Sequence, residues 1–343
     1  MFKIESSPAK ICLGISAFLF LIYSVSFMFF STGYVTGGDA GFSLIDNGLT
    51  GMFGQDPAYG MGGVESGFNG VLFFGIFIST MLILFEGAKG KWTIMLPVII
   101  GLIAMTVCIW MYWNPDSAAS ETPKYVSILV TFTYAGSYVL LRGEGVNEGL
   151  SDYKPGLKVN DKVAMGALVL LVLSGLFYSL RMIFTPDQVI AQGFPSSESW
   201  VGELDAAAGL GVPLPTTVSV TGSMILVYTL WSALVLTDGA KGKWPVMHPS
   251  AMAFIAATVT TYVGLVAGAA RTESSTNQMD VLTIPLVMLL VLISYYRLKD
   301  EGMEDGMTFM AAPMEDGSKF TNALLILALV LGLLTVVNEI LLV

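Results

Sequence analysis

The chain has 343 residues, of which 54% are hydrophobic and 12% are charged, and its mean hydropathy is +0.73. Because a soluble domain carries about a quarter charged residues, this composition indicates an integral membrane protein and excludes the disordered, collagen-like and disulfide-scaffold classes. The 16 basic and 26 acidic residues give a net charge of −10, which argues against nucleic acid as a partner, since nucleic-acid-binding proteins normally carry a basic patch.

Nine hydrophobic runs approach the length of about 20 apolar residues that a membrane-spanning helix needs. In chain order they are 11–30, 68–85, 92–113, 125–141, 163–184, 218–236, 246–270, 281–296 and 320–342. The first run lacks a small-residue cleavage motif, so we interpret it as a retained signal anchor. The predicted fold class is an all-α integral membrane protein with nine transmembrane helices.

The hexapeptide GAKGKW occurs twice, at 87–92 and again at 239–244. At this offset of 152 residues, 12 of the 26 positions from 86 to 111 are identical. A second set of identities, offset by 157 residues, follows the fourth and eighth runs: Ser137, Tyr138, Leu141, Glu144, Gly145 and Gly149 recur as Ser294, Tyr295, Leu298, Glu301, Gly302 and Gly306. We therefore predict two parallel four-helix (tetraspan) repeats plus a ninth helix.

The predicted organisation has four parts, defined by the hydrophobic runs and the repeat. They are the first repeat at 1–150 with an outer loop at 31–67, an inner linker at 151–161, the second repeat at 162–306 with an outer loop at 185–217, and an inner linker plus the ninth transmembrane helix at 307–343.

The lysines and arginines predict the orientation in the membrane. A cytoplasmic N-terminus places 13 of the 16 basic residues on the inner side and leaves Lys124, Arg181 and Arg271 outside, as the positive-inside rule requires. We therefore predict a cell-membrane protein whose N-terminus is cytoplasmic and whose C-terminus is outside. In this topology the inner side is neutral, with 13 acidic residues, and the outer side carries the whole net charge of −10.

The two GAKGKW turns are the most specific local feature. Their candidate functional residues are Lys89, Lys91, Trp92, Lys241, Lys243 and Trp244. One interpretation is binding of anionic lipid headgroups. The alternative, which we favour, is a tight helix hairpin whose lysines and tryptophans anchor it at the inner interface.

The two predicted outer loops carry acids and lack lysine and arginine. The candidate cation-attracting residues are Asp39, Asp46, Asp56, Glu65, Asp187, Glu198, Glu203 and Asp205. They could bind Ca²⁺ or concentrate external cations, although solvated surface acids are the commoner case. At matching depth near the outer side, Arg181 and Glu339 form a candidate ion pair.

The remaining inventory argues against catalysis. Two cysteines and one histidine, His248, cannot supply a bis-histidine haem site or a four-ligand zinc site of cysteines and histidines, so we expect no cofactor, no metal and no enzymatic activity. We interpret His248 as an interfacial or packed histidine. The expected function is a structural or accessory membrane subunit, with lipids and other membrane proteins as partners. The alternative is a transporter or channel for a neutral solute or a cation.

Overall fold

The computed structural model describes residues 2–29, 63–113, 122–191, 214–271 and 278–307. Every regular element within these ranges is helical. The long helices are α1 Ser7–Phe29, α2 Gly63–Glu86, α3 Trp92–Met111, α4 Thr122–Leu140, α5 Lys162–Phe184, α6 Leu214–Asp238, α7 Trp244–Arg271 and α8 Gln278–Arg297. Short 3₁₀ turns at Leu141–Glu144 and Lys299–Glu301 follow α4 and α8, and a short helix, Pro186–Ala191, follows α5.

Six of the long helices contain a stretch that is long and apolar enough to cross a membrane. These stretches are Ser7–Val25, Phe68–Glu86, Trp92–Met111, Thr122–Glu144, Lys162–Phe184 and Pro215–Asp238. A shorter apolar segment, Thr283–Arg297, lies in α8. Helices of this length and composition indicate a multi-pass α-helical membrane protein.

The first six hydrophobic runs each coincide with one of these six stretches, and the seventh and eighth lie within α7 and α8. The ninth run, 320–342, falls outside the described residues. The number of nine transmembrane helices and the domain boundaries therefore stay predictions.

The helices pack as two groups joined at the centre. In the first group α1 contacts α2 and α4, and α3 contacts α4. In the second group α5 contacts α6 and α8, and α7 contacts α8. The groups meet where α2 packs on α7 and α3 packs on α6. In the apolar stretches, 83% of α2 and 72% of α6 are buried, against 33% or less for α1, α4 and α5, so α2 and α6 form the centre of the bundle.

At this centre, glycines on one group receive large side chains from the other. A Cβ atom at Gly75 of α2 would collide with the hydroxyl of Tyr228 from α6. That hydroxyl donates a hydrogen bond of 2.6 Å to the backbone oxygen of Leu72, and the indole N–H of the fully buried Trp231 donates to the oxygen of Ile94 at 3.3 Å. Small residues permit this close approach of helices, and the hydrogen bonds satisfy the buried polar tips.

Gly101 of α3 gives a direct test of this packing. A Cβ atom there would collide with the side chain of Val227 and would lie 3.0 Å from the backbone oxygen of Ser223, which cannot move without shifting α6. We expect Gly101→Ala to destabilise the fold by about 1–3 kcal/mol, the usual cost of overpacking. The measurement is thermal unfolding of the purified protein in detergent.

The matched control is Gly136→Ala in α4, where nothing lies within 4 Å of the added atom. It should leave the melting temperature unchanged or raise it slightly, because alanine favours helix over glycine by about 1 kcal/mol. Equal melting temperatures for Gly101→Ala and the unmodified protein would contradict the close packing of α3 on α6.

Candidate functional site

The two GAKGKW turns lie at one end of the bundle. The segments that precede α1 and α5, and the segments that follow α4 and α8, lie at the same end. We call this end the turn face; it consists of residues 2–6, 87–91, 141–161, 239–243 and 298–307. The four candidate lysines of the GAKGKW turns lie here, and the two candidate tryptophans directly follow the turns in the sequence.

Backbone hydrogen bonds fasten each GAKGKW turn to a neighbouring segment. Gly90 has φ 68° and Gly242 has φ 66°, a left-handed conformation that glycine adopts without the cost other residues incur. The N–H of Gly90 donates to the oxygen of Gly145 at 2.9 Å, and the N–H of Gly242 donates to the oxygen of Gly302 at 2.8 Å. The turn between α2 and α3 is thereby held by the segment after α4, and the turn between α6 and α7 by the segment after α8.

The second lysine of each turn is partly buried in an ion pair. Lys91 lies 3.3 Å from Glu86 at the end of α2, and Lys243 lies 2.7 Å from Asp238 at the end of α6, with all four side chains at most 20% exposed. A partly buried carboxylate is costly without a partner, so these two lysines serve the protein itself by neutralising the ends of the two central helices.

The first lysine of each turn points to solvent. Lys89 lies 3.2 Å from Glu148 and Lys241 lies 3.9 Å from Asp305, and the two lysine side chains are 75% and 83% exposed. Exposed pairs of this kind contribute about 0–1 kcal/mol. Of the four turn lysines, these two are the ones accessible to an external anion.

The two tryptophans of the turns face protein. Trp92 is 5% exposed, its indole N–H donates to the backbone oxygen of Glu148 at 3.0 Å, and its ring lies 5.5 Å from that of Tyr153. Trp244 is 2% exposed and its ring lies 5.9 Å from that of His248. Both rings help to pack the turn face onto the helices below it.

Two glutamates bind the N-termini of helices that begin far away in the chain. The carboxylate of Glu144 accepts from the backbone N–H groups of residues 5–6, before α1, at 3.0 and 2.7 Å. That of Glu301 accepts from residues 160–161, before α5, at 3.0 and 2.6 Å through Oε1. The N–H groups at a helix start lack partners within the helix and carry partial positive charge, so a carboxylate is stabilising there.

Asp161 is the N-cap residue of α5. Its carboxylate accepts hydrogen bonds from the backbone N–H groups of Val163 at 3.0 Å and Ala164 at 2.8 Å, and it pairs with Arg297 at the end of α8. The hydrogen bond from the Arg297 guanidinium, followed by that from Ala164, lowers the pKa of the Asp161 carboxyl below its usual value. Asp161 thereby joins the start of α5 to the end of α8.

The other candidate residues are only partly described. Asp187 lies in the first turn of the short helix Pro186–Ala191, and the guanidinium of Arg181 lies 5.3 Å from the ring of Phe177. Glu65 lies in the first turn of α2, without a described side chain. Asp39, Asp46, Asp56, Glu198, Glu203, Asp205 and Glu339 fall outside the described residues. The outer acidic loops and the Arg181–Glu339 ion pair therefore stay predictions.

Sequence reasoning missed the roles of Glu144, Glu301 and Asp161. The two glutamates stand among the repeated identities, but their partners lie 138 or more residues away, so no local pattern points to them. Asp161 did carry a local signal, because an aspartate directly before an apolar run is a typical helix N-cap. Among the described residues, no group of three or more histidine, cysteine or acidic side chains could hold a metal ion.

Comparisons of this chain with protein-family models, with curated proteins and with solved structures give no match.

The Asp161–Arg297 pair predicts a pH dependence. Since the pKa of Asp161 is lowered in the folded state, its stabilisation is present above the usual aspartate pKa of about 3.9 and is lost as the pH falls through the lower folded value. We expect Asp161→Asn, which keeps an oxygen for the cap but loses the charge, to lower the melting temperature at pH 7 and to match the unmodified protein at the acid end of a titration.

The control for this titration is Asp152→Asn, which changes an exposed aspartate on the same face and should leave the melting temperature unchanged throughout. A gap between Asp161→Asn and the unmodified protein that stayed constant with pH would show that the charge of Asp161 does not contribute.

Proposed function

We propose that this chain is a non-enzymatic structural or accessory subunit of a membrane assembly. The observation that supports this most is the packing between the two helix groups, where Tyr228 fills the space above Gly75 and Trp231 is fully buried against α3. A transport route between the two groups would need room at this junction. Close packing there favours a rigid scaffold whose outward surfaces meet lipid and other membrane proteins.

We propose further that the bundle consists of two parallel four-helix repeats. In support, the hydrogen bond between residues 90 and 145 recurs between residues 242 and 302, and the bond from the Lys3 N–H to the Leu84 oxygen recurs from Lys158 to Leu236. Four helices are an even number, so such repeats have the same orientation and a pseudo-two-fold axis along the membrane normal.

In this proposal the turn face is cytoplasmic, and the opposite end of the bundle is outside the cell membrane. Support comes from the lysines of both GAKGKW turns, which share one face with Lys3 and Lys158, as the positive-inside rule requires. The acidic outer side would then attract external cations and repel anions, with strong screening by salt.

One observation favours the alternative of a transporter or channel for a neutral solute or a cation. Within the described residues, the side-chain oxygen and nitrogen of Asn69 and the hydroxyl of Tyr134 are buried without a hydrogen-bond partner. A buried polar group without a partner costs about 1–3 kcal/mol, and a solute or water molecule would relieve that cost. Two other polar side chains of α4 bond to neighbouring helices, Thr131 to Thr106 and Thr133 to Ser16. Ser127 and Ser137 bond to backbone oxygens of α4 itself.

A flux measurement on the full chain in proteoliposomes separates the two functions. The scaffold proposal expects the flux of K⁺, Na⁺ and glycerol to equal that of protein-free vesicles. It also expects a partner of fixed stoichiometry to co-purify from native membranes in mild detergent. Flux above the protein-free level that Asn69→Leu abolishes would overturn it in favour of transport.

The orientation is tested by labelling lysines with a membrane-impermeant reagent. In sealed cells Lys89 and Lys241 should remain unmodified, and both should react after permeabilisation because their side chains are exposed. Lys91 and Lys243 are internal controls that should react slowly even then, since they are partly buried in ion pairs. Modification of Lys89 or Lys241 in sealed cells would reverse the assignment.

A further inference from the structure

A chain of three polar side chains connects α7, α8 and the segment that follows α8. His248, the single histidine of the sequence, forms a hydrogen bond through Nε2 with the hydroxyl of Tyr295 on α8. That hydroxyl donates to Oε1 of Glu304 at 2.5 Å. Glu304 in turn lies 2.9 Å from the ammonium of Lys299.

The direction of these hydrogen bonds determines the state of the histidine. A tyrosine hydroxyl has one proton to donate, and Tyr295 gives it to Glu304. The bond between Tyr295 and His248 must therefore use a proton on Nε2 of the imidazole. His248 is thus held with Nε2 protonated, and its Nε2–H points along a relay that ends on a carboxylate.

The first half of the chain makes the corresponding contact without ionisable acceptors. At the offset of 157 residues, the first half has Tyr138, Arg142 and Asn147 where the second half has Tyr295, Lys299 and Glu304. At the offset of 152 residues, it has Leu96 where the second half has His248. The hydroxyl of Tyr138 donates to Oδ1 of Asn147. The tyrosine-to-turn hydrogen bond is therefore common to both halves, whereas the acid and the base are present in the second half alone.

We propose that His248, Tyr295 and Glu304 form an acid-responsive latch that holds residues 298–307 against α7 and α8. With Glu304 ionised, the carboxylate accepts from Tyr295 and pairs with Lys299, and the segment is closed. A proton added to Glu304 removes the ion pair and turns a charge-assisted hydrogen bond into a weaker neutral one. The attachment of the segment to α7 and α8 is thereby weakened and the segment opens more often, while Glu301 still binds residues 160–161.

The groups facing the Glu304 carboxylate set the conditions for opening. They are His248 from α7, Tyr295 from α8 and Lys299 from the 3₁₀ turn that follows α8. The hydrogen bond from Tyr295, supported by Lys299, lowers the pKa of Glu304 below its usual value, although partial burial acts in the opposite direction. The latch is therefore closed at neutral pH and opens when the pH falls through this lowered value.

What the latch holds is the attachment of the second GAKGKW turn. The backbone oxygen of Met303 accepts from the N–H of Trp244 at 3.1 Å, and the oxygen of Gly302 accepts from Gly242. Met303 is fully buried. Opening of residues 298–307 would release the start of α7 from the turn face, whereas the matching segment of the first half would stay in place.

Hydrogen–deuterium exchange on the full chain in detergent measures this opening. Exchange rates, corrected for the intrinsic chemical rate, are compared between 298–307 and the matching segment 141–150 in the same sample. We expect the ratio of the two to rise about tenfold or more as the pH is lowered from neutral until the Glu304 carboxylate is protonated, since an ion pair is lost and a charge-assisted hydrogen bond is weakened in one segment alone. An unchanged ratio would overturn the proposal.

The double variant His248→Leu with Glu304→Asn copies Leu96 and Asn147 of the first half and is the matched control. It should fold with the uncharged contact that the first half already uses, and its exchange ratio should be independent of pH. A rise that persisted in this variant would assign the response to other groups and would overturn the latch.

A second measurement needs no variant. Because His248 is the single histidine, isotope-labelled histidine gives one set of NMR signals, provided that the purification tag contains none. At neutral pH the signals should be those of the neutral ring protonated at Nε2. A ring protonated at Nδ1 alone would contradict the relay from His248 through Tyr295 to Glu304.

Discussion

The hydrogen bond from the Gly90 backbone to the Gly145 oxygen, with its counterpart from Gly242 to Gly302, is the contact on which the arrangement of the bundle depends. It is available because glycine turns its N–H outward at positive φ. Each bond joins a hairpin between two helices to the end of a third helix. The ends of α2, α3 and α4 are thereby fixed relative to one another, and so are those of α6, α7 and α8.

Charge neutralisation follows from this arrangement. Once the turns are attached, the carboxylates of Glu86 and Asp238 lie at the ends of the most buried helices, and Lys91 and Lys243 neutralise them within the same turn. Glu144 and Glu301 place two further carboxylates at the starts of α1 and α5, where the backbone supplies donors. The turn face consequently carries many charges, most of them already satisfied by protein.

The helices were predictable from the sequence because a membrane span is defined by length and apolarity, which a single window of residues contains. The packing of Tyr228 above Gly75 was not predictable, since the central helices α2 and α6 are buried on most sides and have no charged face that would mark the opposite face as inward. His248 was predicted to be interfacial or packed, and it lies between Trp244 and Tyr295. Its connection to Glu304 could not be predicted from a local sequence pattern, because α8 and the 3₁₀ turn after it lie between α7 and Glu304 in the chain.

The differences between the halves bear more directly on function than their similarities do. At the offset of 152 residues, Tyr228 and Trp231 of α6 stand where α2 has Ile76 and Ser79, so α6 supplies the large side chains of the junction and α2 supplies the space. The two halves of the turn face share their backbone contacts. The acid Glu304 and the base His248 of the relay, however, are present in the second half alone. A uniform scaffold would not require this division. The first half thus provides the glycines against which side chains of α6 pack. The proposed response to acid pH arises in the second half.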